Sequence, residues 1–514
     1  MNRLAARPAG RLAAAALAAA SLLAQACGDD EGAADPAANN AVVTFPKTFL
    51  WGTSVAGFQV DPGCPTLPAA ACEDRESDWA QWVTDPDLVA DGTTYVHGDP
   101  LSAGPGFWEL YDQDLARAGD ELGANAFRTS LEWSRLFPDG AAEAATTVDE
   151  LAPFADEDAV AHYRAIFASA KAHGQTLLVT LNHYTLPLWL HDGKACHQDL
   201  AGCADRGWLD GPRIVRTIAL YAGFCARTFG DQVDLWATLN EPFAVVLSGF
   251  IVPNAERTNP PGVLLQIEAG LDAMTHMIEA HAAMVDAVRD NDLADADDDG
   301  VAAQVGLVHS MIALEPSDPS SEADVAAVAH AEWVVNRVFL EGVANGRLDP
   351  DLDGVLDPPR ADLVGRLDFI GVNYYTRLPI MALGQPLDAR YAFADFLPNL
   401  DGGSFVEYPQ GLHDVVTSAA SYGRPVYITE NGRLNPGETS GDGFLEPHLE
   451  ALHAAMDDGA DVRGYFYWSL VDNYEWNHGM SLRFGLYAVD TATKARALRP
   501  IGARYAQIVR ARGF

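Results

Sequence analysis

Thr176-Leu-Leu-Val-Thr-Leu-Asn-His183 and Asp234-Leu-Trp-Ala-Thr-Leu-Asn240, with residues 214–229 between them, set the architecture. Each quoted stretch is a short apolar run that ends on polar residues. The segment between them carries apolar side chains at helical spacing. A strand, a helix and a second strand in that order predict a parallel pair with a crossover. The pattern recurs: residues 49–54, 125–133, 304–310, 366–375, 425–430 and 462–470 are further β-rich runs, and residues 159–173 give another helical pattern. Eight such strands predict an α/β chain closed into a single (β/α)8 TIM barrel. No Gly-x-Gly-x-x-Gly follows a strand, so an open doubly wound sheet with a dinucleotide site has no support.

In such barrels the functional groups sit where strands end, on the C-terminal face. Arg128, His183, Asn240-Glu241, Tyr375, Glu430 and Trp468 all occupy or border that level. Each alone is a routine residue; their recurrence is the signal. Cleaving a glycosidic bond with retention needs one carboxylic acid to protonate the leaving oxygen and one carboxylate to attack the anomeric carbon. Thr238-Leu-Asn-Glu-Pro242 and Tyr427-Ile-Thr-Glu-Asn-Gly432 each end an apolar strand on a glutamate. As isolated motifs they read equally well as solvated loop glutamates.

The 514 residues include 33 basic and 72 acidic side chains, a formal charge of −39. That charge opposes nucleic-acid phosphates and anionic lipid, and favours a neutral ligand. It also serves solubility and names no substrate. Arg3, Arg7 and Arg11 precede an Ala/Leu run over residues 12–24 that is short for a membrane span, so residues 1–26 read as a signal peptide. Cys27 resembles the lipidated cysteine of bacterial lipoproteins, although Ala24 stands where the usual leucine is expected. Residues 27–43 read as a flexible tether, residues 44–514 as the barrel domain, and the expected location is the cell envelope or outside the cell.

Of the remaining cysteines, Cys64 pairs with Cys72 and Cys196 with Cys203 across short loops, and Cys225 is left as a buried thiol. Zinc is disfavoured: there is no Cys-x-x-Cys, and His276 and His281 are five apart, on different helix faces. The acidic loops 295–300 and 349–354 resemble calcium loops, but Gly306 and Arg360 stand where an EF-hand has its twelfth-position glutamate, so they read as solvated turns. No metal site is assigned and no cofactor is expected.

From Phe45 to Tyr505 the chain resembles the family 1 glycoside hydrolases, with motifs in the family's order. Phe45-Pro-Lys-Thr-Phe-Leu-Trp-Gly52 looks like the opening strand and Leu131-Glu-Trp-Ser-Arg-Leu-Phe-Pro138 like the second-strand signature. Leu181-Asn-His-Tyr-Thr-Leu-Pro-Leu-Trp-Leu190, the Glu241 motif, Asp368-Phe-Ile-Gly-Val-Asn-Tyr-Tyr-Thr376, the Glu430 motif and Gly464-Tyr-Phe-Tyr-Trp-Ser-Leu-Val-Asp-Asn-Tyr-Glu-Trp476 follow. Ala56-Gly-Phe-Gln-Val60 and Gly104-Pro-Gly-Phe-Trp108 look most like the archaeal-type β-glycosidases. The resemblance implies a retaining β-glycosidase acting on a terminal, unphosphorylated β-linked sugar of glucoside or galactoside type. It implies Glu241 as acid/base, Glu430 as nucleophile, and Arg128 and Tyr375 beside the nucleophile. It implies Gln59, His183, Asn240, Glu475 and Trp476 as sugar ligands, with Trp468 as an apolar floor. Tyr184 departs from the family's usual tryptophan, and residues 405–408 match only loosely. Leu482 and Phe484 replace the lysine and tyrosine that phospho-glycosidases present, and Arg483 reads as structural. A sugar-binding protein on a dead barrel is disfavoured because both glutamates are present; transglycosylation stays open.

Overall fold

Eight parallel strands close into a barrel in chain order: β1 (Leu50–Ser54), β2 (Ala126–Ser130), β3 (Thr176–Asn182), β4 (Leu235–Asn240), β5 (Gln304–Ser310), β6 (Ile370–Asn373), β7 (Val426–Asn431) and β8 (Val462–Trp468). Each pairs with the next, and β8 returns to β1 with Leu50 opposite Gly464 and Ser54 opposite Trp468. The computed structural model describes residues 43–384, 395–399, 405–437 and 443–514. The predicted signal peptide, Cys27 and the tether as far as residue 42 lie outside the described residues.

The barrel interior is filled by strand residues that alternate in size. Ala126, Leu178, Leu235, Ala237, Val308, Phe369, Tyr427 and Phe466 form one apolar cluster. Glycine stands where a neighbour's ring needs the space: a Cβ on Gly52 would lie 2.1 Å from Phe466, and one on Gly306 would lie 2.5 Å from Phe369. Beyond this plug, toward the strand C-termini, the inward positions become polar, with Arg128, Asn240, Asn373 and Thr429 all buried.

Helices cover the outside through their apolar stripes. Asp156 starts the helix Glu157–Ala172, its carboxylate accepting the Ala159 N–H at 2.8 Å. Pro212 sits in the first turn of Gly211–Phe229, where its missing N–H costs nothing. That helix buries Ile214, Ile218, Tyr221, Cys225 and Phe229. A short backbone ladder joins Val43 to the C-terminal Phe514, with Val43 N–H donating to the Phe514 carbonyl at 3.0 Å and Phe514 N–H to the Val43 carbonyl at 3.1 Å.

Strand ends differ from the sequence expectation where side chains take over from the ladder. The run 125–133 stops at Ser130, and Trp133–Leu136 turns into a short helix, because Glu132 points inward and accepts the Phe58 N–H at 3.0 Å. The run 366–375 contracts to Ile370–Asn373; Asp368 before it accepts the Val305 N–H at 2.9 Å and Arg289 Nη2 at 2.8 Å. A small sheet of Ala313–Pro316, Arg377–Ala382 and Phe396–Pro398 was not expected. Both disulfides form, with Cα separations of 5.9 Å for Cys64–Cys72 and 4.9 Å for Cys196–Cys203, and Cys225 is buried and free. In the acidic loops, Asp295 accepts the N–H groups of Asp299 and Gly300, and Asp349 those of Asp353 and Gly354. Asp234, expected to begin a strand, instead joins Asp295 and Asp297 as one acidic group; Asp349, Asp351 and Asp353 form another.

Candidate active site

Irregularities in β4 and β7 aim the two glutamates. Pairing of β4 with β5 slips between Ala237 and Asn240, and pairing of β7 slips between Ile428 and Glu430 against β6 and between Ile428 and Asn431 against β8. Such bulges re-aim side chains at the rims of barrels. Three residues of the site also hold left-handed backbone without being glycine: Tyr184 at φ 71°, Glu241 at 45° and Trp476 at 50°. Backbone of that kind costs of order 1–3 kcal/mol per residue and concentrates at functional sites.

The two carboxylates have different neighbours. Glu430 Oε1 accepts Arg128 Nη1 at 2.6 Å, and its Oε2 accepts the Tyr375 hydroxyl at 2.7 Å. Glu241 Oε1 accepts Asn373 Nδ2 at 2.8 Å, and its Oε2 accepts the Tyr184 hydroxyl. Asn240 links the two sets, since its Oδ1 accepts both Arg128 Nη2 at 2.6 Å and Asn373 Nδ2 at 3.2 Å. Burial raises the Glu430 carboxyl above the ordinary carboxylate value; the Arg128 charge opposes this, the Glu241 charge adds to it, and the bonds from Tyr375 and Arg128 oppose it. Protonating Glu430 would strand a fully buried guanidinium, so the ion pair is the state that leaves no charge unmatched.

Around this pair lies a set of unspent donors and acceptors. Asn240 Nδ2 meets His183 Nε2 at 3.0 Å, which makes Nε2 the acceptor and puts the imidazole proton on Nδ1. His183 Nδ1 has no hydrogen-bond partner among the described residues, and burial followed by the charges of Arg128 and Arg257 holds the ring well below its usual pKa, hence neutral. Gln59 Nε2 donates to Glu475 Oε2 at 2.9 Å and to Asn473 Oδ1 at 3.2 Å, leaving its buried Oε1 unpartnered. Burial pushes the Glu475 carboxyl up to about 7, opposed first by Arg257. Trp476 stacks against Phe58 at 5.7 Å and His183 at 5.7 Å, and Trp468 lies parallel to His183 at 6.3 Å. Neutral donors and acceptors beside indole faces suit a polyhydroxylated ring with one apolar side.

The structure thus brings all ten predicted site residues to one end of the barrel or to its immediate support. Several others were missed. Asn373 ends β6 as Asn240 ends β4, and that parallel was readable in the sequence. Arg257, whose guanidinium lies 4.8 Å from the Tyr184 ring and 5.2 Å from that of Trp476, comes from a loop with no periodicity to mark it. Phe405, in the loosely matching stretch, still packs on Tyr375 at 6.2 Å and Phe484 at 5.8 Å. Beneath the pocket lies a second buried group. Glu132 accepts Phe58 N–H, Ser130 Oγ and Thr185 Oγ1, and Arg135 pairs with Asp61 at 3.3 Å. Burial raises Asp61 to about 7 and Glu132 to about 8, and raises Asp74 as well. These residues tie the short helix Gly57–Val60, which carries Gln59, to the loop after β3, which carries His183.

Comparison with known proteins agrees with this geometry. Residues 41–514 match the sequence profile described as Glycosyl hydrolase family 1. A β-galactosidase of Pyrococcus woesei is 35% identical over 498 residues, covering 88% of this chain and 94% of its own. One of Saccharolobus solfataricus is 34% identical, covering 90% and 95%. Among solved structures, a β-glycosidase of Thermosphaera aggregans superposes with a TM-score of 0.76 at 29% identity, covering 92% of this chain and 98% of that one. A β-glucosidase of Pyrococcus furiosus gives 0.75 at 32% identity, covering 92% and 97%.

Proposed function

The chain belongs to glycosyl hydrolase family 1 and is a retaining β-glycosidase, and from that premise we propose that Glu430 is its nucleophile and Glu241 its acid/base. The unequal surroundings of the two carboxylates carry the assignment. Glu430 has a guanidinium and a phenol on its two oxygens, which favours an anion ready to attack. Glu241 has an amide and a phenol and, among the described residues, no cation in contact, which suits a group that holds and releases a proton.

In the first half-reaction Glu430 bonds to the anomeric carbon while the Glu241 proton passes to the leaving oxygen, which keeps the bond's electron pair. Esterification removes the Glu430 charge, so a carboxylate on Glu241 no longer faces a like charge at the stage where it must act as a base. In the second half-reaction water gives its proton to Glu241 and displaces Glu430. Asn240 Nδ2 has one hydrogen left for the 2-hydroxyl; His183 Nδ1, Gln59, Glu475 and Trp476 serve the others, above the Trp468 floor.

The proposed substrates are terminal, unphosphorylated β-glucosides or β-galactosides, of the kinds named for the Pyrococcus relatives. A slow 2-deoxy-2-fluoro glycoside tests the assignment by trapping the ester. Its mass is expected on the peptide carrying Glu430, and its appearance on any other carboxylate would overturn the reading. We further propose export with Cys27 as the lipidated first mature residue, on the strength of the N-terminal sequence. Mass spectrometry of the mature protein tests it: an intact Met1 defeats cleavage, and a cleaved chain without acyl mass defeats only the anchor.

A further inference from the structure

The two partners of Glu241 differ in what they can do. Asn373 is locked: its Oδ1 accepts Thr429 Oγ1 at 2.7 Å, while Nδ2 donates to Asn240 Oδ1 at 3.2 Å and to Glu241 Oε1 at 2.8 Å. Toward Glu241 it presents only N–H, and an amide nitrogen has no lone pair with which to accept. Tyr184 presents a hydroxyl to Oε2, and a hydroxyl both donates and accepts. The Tyr184 ring packs against the Arg257 guanidinium, 4.8 Å from its centroid, and edge-on against Trp476 at 4.8 Å, with Arg257 and Trp476 also in contact at 5.2 Å, so the ring stays in place while its O–H turns.

We propose that Tyr184 is a positioning residue that directs the working proton of Glu241 to Oε2 and serves both of its protonation states. When Glu241 is the acid, a proton on Oε1 would face the Asn373 N–H, whereas a proton on Oε2 has the phenol oxygen as acceptor. When a glycoside binds, that proton turns from Tyr184 to the glycosidic oxygen and transfers as the C–O bond breaks. The Tyr184 O–H then swings to donate to Oε2 and stabilises the new carboxylate. In the second half-reaction the proton lost by water returns to Oε2 and the phenol reverts to acceptor. Burial, joined by the Glu241 charge, holds the phenol well above its usual pKa, so Tyr184 keeps its own proton throughout.

This inference rests on Glu241 being the acid/base, and the test separates the two. Tyr184→Phe removes one oxygen and keeps the ring that packs on Arg257 and Trp476. Aryl and alkyl β-glucosides spanning good to poor leaving groups are compared by kcat/KM for the wild type, Tyr184→Phe, Glu241→Gln and the double variant, with the melting temperature of each recorded. Tyr184→Phe is expected to lose about tenfold on the poorest leaving groups and several-fold less on dinitrophenyl glucoside, which steepens the leaving-group dependence. In the Glu241→Gln background the same change is expected to add no further steepening. A uniform loss across the series, or the same added steepening in the double variant, would overturn the role given to Tyr184. A uniform loss in Glu241→Gln alone would instead overturn the acid/base assignment.

Discussion

Gln59 and Glu475, 416 residues apart in the chain, are joined by a 2.9 Å hydrogen bond from Nε2 to Oε2. That bond fixes the Glu475 carboxyl, and in the proposed function this carboxyl receives hydroxyls of the sugar. A neutral sugar offers hydroxyls to it; a 6-phosphate brings like charge. Leu482 and Phe484 pack in the apolar cluster around Trp468 and supply no phosphate donors. An aryl β-glucoside is therefore expected to turn over with a higher kcat/KM than its 6-phosphate, and Glu475→Gln to lower kcat/KM on the neutral substrate about 10–100-fold. Steady-state kinetics on the paired substrates checks both.

Glu241→Gln removes the proposed proton donor and leaves Glu430, the proposed nucleophile. Its kcat/KM is expected to fall by about 10²–10⁴ on alkyl glycosides and far less on dinitrophenyl glycosides, whose leaving group needs no proton. The slope of log kcat/KM against leaving-group pKa is the measurement.

Arg128 is fully buried and pairs with Glu430 at 2.6 Å. Arg128→Met leaves that carboxyl buried without its cation, at an expected cost of about 3–5 kcal/mol in stability. Activity is expected to fall as well, because the neutral acid becomes the favoured form of the nucleophile. Denaturant unfolding and kcat/KM against pH report the two losses separately.

The group around Arg135 sets a pH dependence of stability. Asp61 and Glu132 sit at about 7 and about 8 when folded, above their unfolded values near 4, so between those limits the folded state binds more protons. Stability then falls as pH rises. The melting temperature is expected to drop by something on the order of 3 °C between pH 5.5 and 8.5 from this group, and Glu132→Gln to flatten the slope. Calorimetry across that range tests it.

The barrel was legible because its period is written in short-range pattern: the runs at 176–183 and 234–240 survive as β3 and β4 within a residue or two. The placement of Glu241 and Glu430, joined through Arg128, Asn240 and Asn373, at the ends of β4 and β7 was legible through their motifs. Three things were not. The left-handed backbone at Tyr184, Glu241 and Trp476 has no glycine or asparagine to announce it, since tertiary contacts impose it. Arg257 enters the pocket through cation–π packing from an aperiodic loop, where sequence spacing carries no direction. The early end of β2 depends on the inward turn of Glu132 to Phe58 and Thr185, which lie 74 and 53 residues away.

A barrel whose last strand closes on its first imposes an order on synthesis. At about 5–20 residues per second, Glu475 leaves the ribosome roughly 20–80 s after Gln59, and β1 waits about as long for β8. During that interval the nascent chain already holds Glu241, Asn240 and His183 but has no wall opposite them, and one edge of β1 stays open to other strands. A message cut short before β8 would yield a chain that carries Glu241 but lacks Trp468, Glu475 and Trp476, and whose barrel has no strand to close on β1.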